Sequence, residues 1–176
     1  MKKIFSLMLV AMLSLSAMAG SHEIGGVVGG MNGLSYKYWM GNNLAIQADL
    51  AVGLSTVAGG TYYQGSNLGN GSWSIYDFTI NPNLVYNFNL PANFYLYAGG
   101  GCNFGLMSDL NNTNPNGVAG KFGINAMVGT EYKFNGVPLA LAFDFRPGYG
   151  LGFTTADAPH ASFFDWKLAF AVRYCL

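Results

Sequence analysis

The chain has 176 residues, 51% hydrophobic and 15% aromatic, with only 9% charged and eight basic side chains balanced by eight acidic ones. That length holds one ordinary domain, the apolar content excludes a disordered chain, and so few scattered cations exclude nucleic acid as a partner. A soluble surface carries roughly 25–35% charged side chains, so much of this one does not face water.

The N-terminal residues come first. Lys2 and Lys3 precede an apolar stretch from Ile4 to Ser16, and Ala17-Met18-Ala19 forms a small-x-small cleavage site ahead of Gly20. This reads as a secretory signal peptide over 1–19, short of the ~20 apolar residues a spanning helix needs. The mature domain is then 20–176. No Cys follows the cleavage site, so lipid anchoring is not indicated.

After Gly20 the sequence alternates. The glycine-rich segment 23–31 keeps a weak parity, and Met31-Asn32-Gly33 reads as a short connector. Leu34, Tyr36, Tyr38 and Met40 then interleave with Ser35, Lys37 and Trp39. Leu44, Ile46, Leu50, Val52 and Leu54 interleave with Gln47, Asp49 and Gly53. Tyr76, Phe78, Ile80, Leu84, Tyr86 and Phe88 alternate with Asp77, Thr79, Asn81, Asn83 and Asn87. Segment 94–107 is glycine-rich and keeps its parity. Phe122, Ile124, Ala126, Val128, Tyr132 and Phe134 alternate with Lys121, Gly123, Asn125, Met127, Gly129, Glu131 and Lys133. Leu139 to Phe153 repeats the pattern, with Asp144 and Arg146 in the small-residue set. From Phe164 to Leu176 the even positions are bulky, while Asp165, Lys167 and Arg173 are odd. Period two sustained so long specifies strands with two unlike faces, eight of them.

The connectors divide into two kinds. Gly41-Asn42-Asn43, Asn89 to Asn93 and Asn135-Gly136-Val137-Pro138 carry tight-turn chemistry. Ala58–Ser72, Ser108–Gly117 and Thr154–Ser162 are longer and polar. The fold expected is all-β, an eight-stranded antiparallel up-and-down transmembrane β-barrel, with both termini at the short-turn end.

Volume and charge assign the faces. Eight strands enclose room for modest side chains only, which suits the Gly, Ala, Ser and Asn set and not the Phe, Tyr, Leu and Ile set. Fourteen charges fall within 20–176; Asp109 and Asp157 lie in loops, and the other twelve all occupy the small-residue set. They are Glu23, Lys37, Asp49, Asp77, Lys121, Glu131, Lys133, Asp144, Arg146, Asp165, Lys167 and Arg173. A lipid-facing Arg or Lys at mid-depth costs about 2–4 kcal/mol, so the bulky face is the one for lipid. The twelve inward charges, six of each sign, can pair inside; the expected members of a lumen ion-pair network are Glu23, Lys37, Asp49, Asp77, Glu131, Asp144, Arg146, Asp165, Lys167 and Arg173. Tyr86, Phe88, Phe94, Tyr132, Phe134 and Tyr174 cluster toward the short-turn end. Tyr76, Phe122, Tyr149, Phe153, Phe164 and Trp166 cluster toward the other, as two aromatic girdles require. Trp39, Trp73, Tyr95, Tyr97 and Met107 share the inner parity, so no open channel is expected. The inverse assignment, a secreted soluble barrel enclosing a ligand, would bury the aromatics and leave a thinly charged exterior.

Little here carries chemistry. Cys102 and Cys175 have opposite parity on non-adjacent strands and make no expected disulfide. His22 and His160 lie too far apart for a metal site. The glycine runs do not match a phosphate-binding spacing. No catalytic residue and no cofactor is indicated; His160-Ala161-Ser162 supplies the one enzymatic alternative, a His activating a Ser.

The segment Phe163 to Leu176, the signal peptide and the eight alternating strands resemble the small outer-membrane barrels of the OmpA/OmpX-like or opacity-type group. That resemblance implies residence in the outer membrane of a Gram-negative cell with both termini periplasmic, in contact with lipid and lipopolysaccharide. It also implies recognition by the outer-membrane assembly machinery through Phe170, Val172, Tyr174 and Leu176, the last standing where such signals usually close with Phe. A structural or surface-interaction role follows, the extracellular ligand unspecified. The His160–Ser162 pair is similar to that of outer-membrane lipid A deacylases, without their flanking Asn.

Overall fold

A computed structural model describes residues 21–62, 73–108, 118–153 and 159–176. The signal-peptide reading of 1–19, and Asp109 and Asp157 with their loops, lie outside the described residues. Eight strands follow in chain order: β1 His22–Gly29, β2 Met31–Trp39, β3 Leu44–Tyr62, β4 Trp73–Leu90, β5 Phe94–Ser108, β6 Val118–Lys133, β7 Leu139–Phe153 and β8 Pro159–Cys175. Each pairs antiparallel with the next, and β8 closes on β1 through Glu23–Cys175 to Gly29–Ala169. The fold is the expected eight-stranded up-and-down barrel.

Side-chain parity explains the closure. Along β7, Ala140, Ala142, Asp144, Arg146 and Gly148 are buried while Phe143, Phe145 and Tyr149 are exposed. Every strand tilts, because closing a sheet requires a stagger between its ends. Starting at Glu23, the hydrogen-bonded partners run Lys37, Gln47, Asn83, Gly101, Asn125, Gly148 and Asp165. The circuit reaches β8 at Asp165, ten residues short of Cys175, which Glu23 itself faces. A stagger of that size on eight strands corresponds to a tilt of about 40° and carries inward side chains around the lumen in a spiral.

Several boundaries differ from the sequence reading. Met31-Asn32-Gly33 belongs to β2, and the chain reverses at Gly29 and Gly30 instead. Gly29 sits at φ +118, and a Cβ there would stand 2.8 Å from the Leu168 carbonyl oxygen, so only glycine serves. Ala58–Tyr62 and Pro159–Ser162, read as loop, extend β3 and β8. They pair directly with each other from Thr56–Trp166 to Tyr62–Ala161, across a bulge between Val57 and Gly59. Their small residues show no alternation; the distant strand β8 supplies pairing for Ala58–Tyr62 that local pattern does not, and Pro159–Ser162 is held by β7 as well. Beyond the β1–β2 hairpin the wall is therefore six strands round.

Candidate functional site

The lumen is where this chain concentrates its chemistry. All ten residues expected in the network point inward, and Glu23, Lys37, Asp49, Glu131, Asp144 and Arg173 are no more than 1% exposed. They assemble into three groups stacked along the axis.

The first lies at the short-turn end. Glu131, at the end of β6, accepts from Lys37 Nζ at 2.8 Å and Arg173 Nη2 at 2.7 Å. Arg173 also donates to Glu23 at 3.2 Å and to the Ser35 hydroxyl at 3.1 Å. Lys37 turns a further proton on the Asn87 side chain at 3.0 Å. Lys133 Nζ reaches Glu23 at 2.6 Å and is 26% exposed, the one charged member of the group that meets solvent. Trp39 sits between two cations, with Lys37 and Lys133 at 4.3 and 4.2 Å from its ring. Its indole N–H donates to Glu23 at 2.6 Å. Such stacking stabilises a desolvated cation.

The second group is central. Arg146 bridges Asp49, at 2.6 Å, and Asp144, its neighbour two places back on β7. Tyr97 donates to Asp144 at 3.0 Å, and Gln47 donates to Asp49 at 3.2 Å. The third group lies toward the long-loop end. Lys121 joins Asp77 at 2.8 Å and Asp165 at 2.7 Å, and Lys167 also holds Asp77 at 2.8 Å. Phe163 lies buried beside them, its ring 5.3 Å from Lys121 Nζ.

Formal charge sums to +1, −1 and zero over the three groups, so the excess cation of the first faces the excess anion of the second. Burying a charge costs several kcal/mol per ion after relaxation; here each has at least one opposite partner within 4 Å. Between the second and third groups remains a cavity of about 10 Å³ lined by Met31, Asn81, Asn103, Asn125, Arg146, Asp165 and Lys167, room for about one water molecule.

Glycines make the space. A Cβ on Gly129 would lie 2.6 Å from the Tyr97 ring and hydroxyl and 2.6 Å from the Phe143 carbonyl oxygen. Gly129→Val is therefore expected to cost about 1–3 kcal/mol by overpacking, seen as a lower temperature at which the folded band is lost on a heat-modifiable gel. An unshifted transition would show that Tyr97 is not wedged against β6.

The outer wall has the opposite character. Leu34, Val52, Phe78, Leu84, Leu106, Ile124, Val128 and Phe143 are between 45% and 62% exposed. Tyr86, Phe88, Tyr132, Phe134 and Tyr174 are exposed toward the short-turn end and Tyr76, Phe122, Tyr149, Phe153 and Phe164 toward the other, while Phe94 and Trp166 are half-buried. Phenylalanines also occupy the middle of the wall, where Phe143 faces Phe170. Of the C-terminal signal residues, Phe170, Val172 and Tyr174 point outward and Leu176 is half-buried past the strand end.

Lys121 and Lys133 complete the network although the sequence reading left them out of it. Their parity was the available signal. Phe163, odd-numbered like Asp165, carried the same signal and was missed. Cys102 and Cys175 are both free. Ser162 is half-buried within β8 and not at a loop end, and the His160 side chain lies outside the described residues.

No protein-family model matches the sequence, and comparison with curated proteins gives no significant match. Among solved structures, the chain is similar to the crystal structure of Neisserial surface protein A, with 15% identity, a TM-score of 0.56, and coverage of 89% of this chain and 94% of that one. It also matches the NMR structure of the Escherichia coli outer membrane protein W at 14% identity and a TM-score of 0.48, covering 90% and 98%. A major outer membrane protein from Thermus thermophilus matches at 14% identity and a TM-score of 0.49, covering 89% and 98%. The chain shares the fold of small outer-membrane barrels.

Proposed function

We propose that this chain is an integral protein of the bacterial outer membrane with a structural or surface-interaction role, a packed lumen and no catalytic centre. One observation carries the reading: all twelve charges on the described strands are inside, in ion pairs, while the bulky apolar residues are outside. Water would favour the reverse; a bilayer demands this arrangement. A secreted barrel with an enclosed ligand site would need an apolar interior instead.

Export through the 1–19 segment and insertion by the assembly machinery, reading Phe170, Val172, Tyr174 and Leu176, accompany this proposal. The described residues begin and end at the short-turn rim, where the Leu176 N–H donates to the His22 carbonyl at 2.8 Å. In this reading the short-turn rim faces the periplasm and the long loops face lipopolysaccharide and the exterior.

Membrane fractionation combined with a heat-modifiable gel shift tests the reading. The expected result is a detergent-requiring protein whose unheated band migrates ahead of the heated one. Recovery in the soluble fraction overturns it. With Lys37, Tyr97, Met127 and Arg173 all at most 2% exposed, planar-bilayer recordings should show no steady, large conductance; such a conductance would sink the packed lumen.

A further inference from the structure

Strand lengths around the barrel are unequal. β1 has 8 residues and β2 has 9, whereas the other six have between 15 and 19. We propose that the tip of the β1–β2 hairpin ends inside the hydrocarbon layer and is covered by lipid acyl chains. This rests on the outer-membrane reading above.

Its height argues for it. The Gly30 N–H donates to the Leu168 carbonyl at 2.7 Å, placing the tip eight residues up β8 from Leu176. At ~3.3 Å per residue and a tilt near 40°, that is about 20 Å above the short-turn rim, within an apolar band about 25 Å tall. Phe164 and Tyr149, adjacent to each other and 45% and 50% exposed, lie farther along β8 and β7 than the tip. The outer aromatic girdle thus passes above the hairpin.

Its polar groups argue the same way. The Asn32 side chain accepts from the Gly29 N–H and donates to the Gly29 carbonyl, both at 3.3 Å. With the Gly30 bond, the Gly29 N–H, the Gly29 carbonyl and the Gly30 N–H all find partners within the chain. A tip in water would draw on solvent; a tip in hydrocarbon has only the protein. From Ile24 to Tyr36 the sequence carries no charge, and Val28, Leu34, Val52 and Leu168 around the tip are 42% to 62% exposed.

Above the tip β3 meets β8 and the circumference falls from eight strands to six. Barrel diameter follows strand number, so the wall steps inward and leaves a shoulder over Gly29 and Gly30. The shoulder is continuous with the apolar wall. An acyl chain of the outer leaflet lies on it.

Spin-label accessibility tests this. In a Cys102→Ser, Cys175→Ser background, a nitroxide is placed at Val28→Cys, Asn32→Cys, Phe143→Cys or Asn42→Cys, and the barrel is reconstituted in phosphatidylcholine vesicles. Positions 28 and 32 are expected to match 143, accessible to oxygen and shielded from a water-soluble nickel chelate, with 42 the reverse. Val28 keeps the test valid if the Asn32 change disturbs the turn. Nickel access at 28 and 32 with 143 still shielded overturns the proposal alone. Nickel access at 143 as well overturns the membrane reading and this proposal together.

Discussion

Replacing Arg146 with alanine is expected to lower the stability of the folded barrel by about 3–5 kcal/mol, the usual cost of breaking a buried pair by removing one partner. Two carboxylates depend on this guanidinium: Asp49 at 2.6 Å and Asp144 beside it on β7. Without it they keep only the neutral donors Gln47 and Tyr97, and among the described residues no other cation pairs with either of them. Against a total of about 5–15 kcal/mol for an ordinary domain, the loss is a large fraction. Urea unfolding in lipid vesicles measures it. Adding Asp49→Asn and Asp144→Asn removes the stranded charges, so the triple variant should recover part of the loss. An Arg146→Ala protein as stable as the parent would mean that Arg146 is not the pivot of the central group.

A charge on the other face should be comparably costly for the opposite reason. Phe143 is 49% exposed near the middle of the wall, facing Phe170 on β8 and Thr130 on β6. Phe143→Arg is expected to cost about 2–4 kcal/mol in a bilayer and to reduce the folded yield in vesicles. The same residue placed at Asn42, in an exposed short turn, should leave both unchanged. Folding in vesicles followed by gel shift gives the comparison. Equal yields for the two variants would remove the case for lipid against β7.

Much of this architecture was legible because a closed sheet translates parity into inside and outside without further information. Lys37, Asp77 and Arg173 could be placed in the lumen from their neighbours alone. The partners could not. Lys37 meets Glu131 across 94 residues and Arg173 meets Glu23 across 150, and such pairings depend on the stagger between strands, which no single strand encodes. For the same reason Lys121 joined Asp77 and Asp165 without being expected there. The strand end at Ala58–Tyr62 was illegible for a second reason: its order comes from β8, through pairs more than 90 residues apart in sequence, while Pro159–Ser162 pairs with β7 as well as β3. Met31 to Gly33 misled because glycine and asparagine are turn residues in most settings. Here Gly33 serves close strand approach, and Asn32 braces a turn already made.

The seam at β8 bears on how the barrel forms. This strand holds three neighbours, β7 along its length, β1 at one end and β3 at the other. The β7 contact is local, whereas the other two join the beginning of the chain to its end. Loop-closure entropy must be met before such distant contacts are rewarded, so closure comes last in folding. The short first hairpin then works as a spacer: it must already lie against β3 when β8 arrives, since otherwise β3 and β8 would zip along their full length and lock a narrower, six-stranded cylinder in which Glu23, Ser35 and Lys37 have no place.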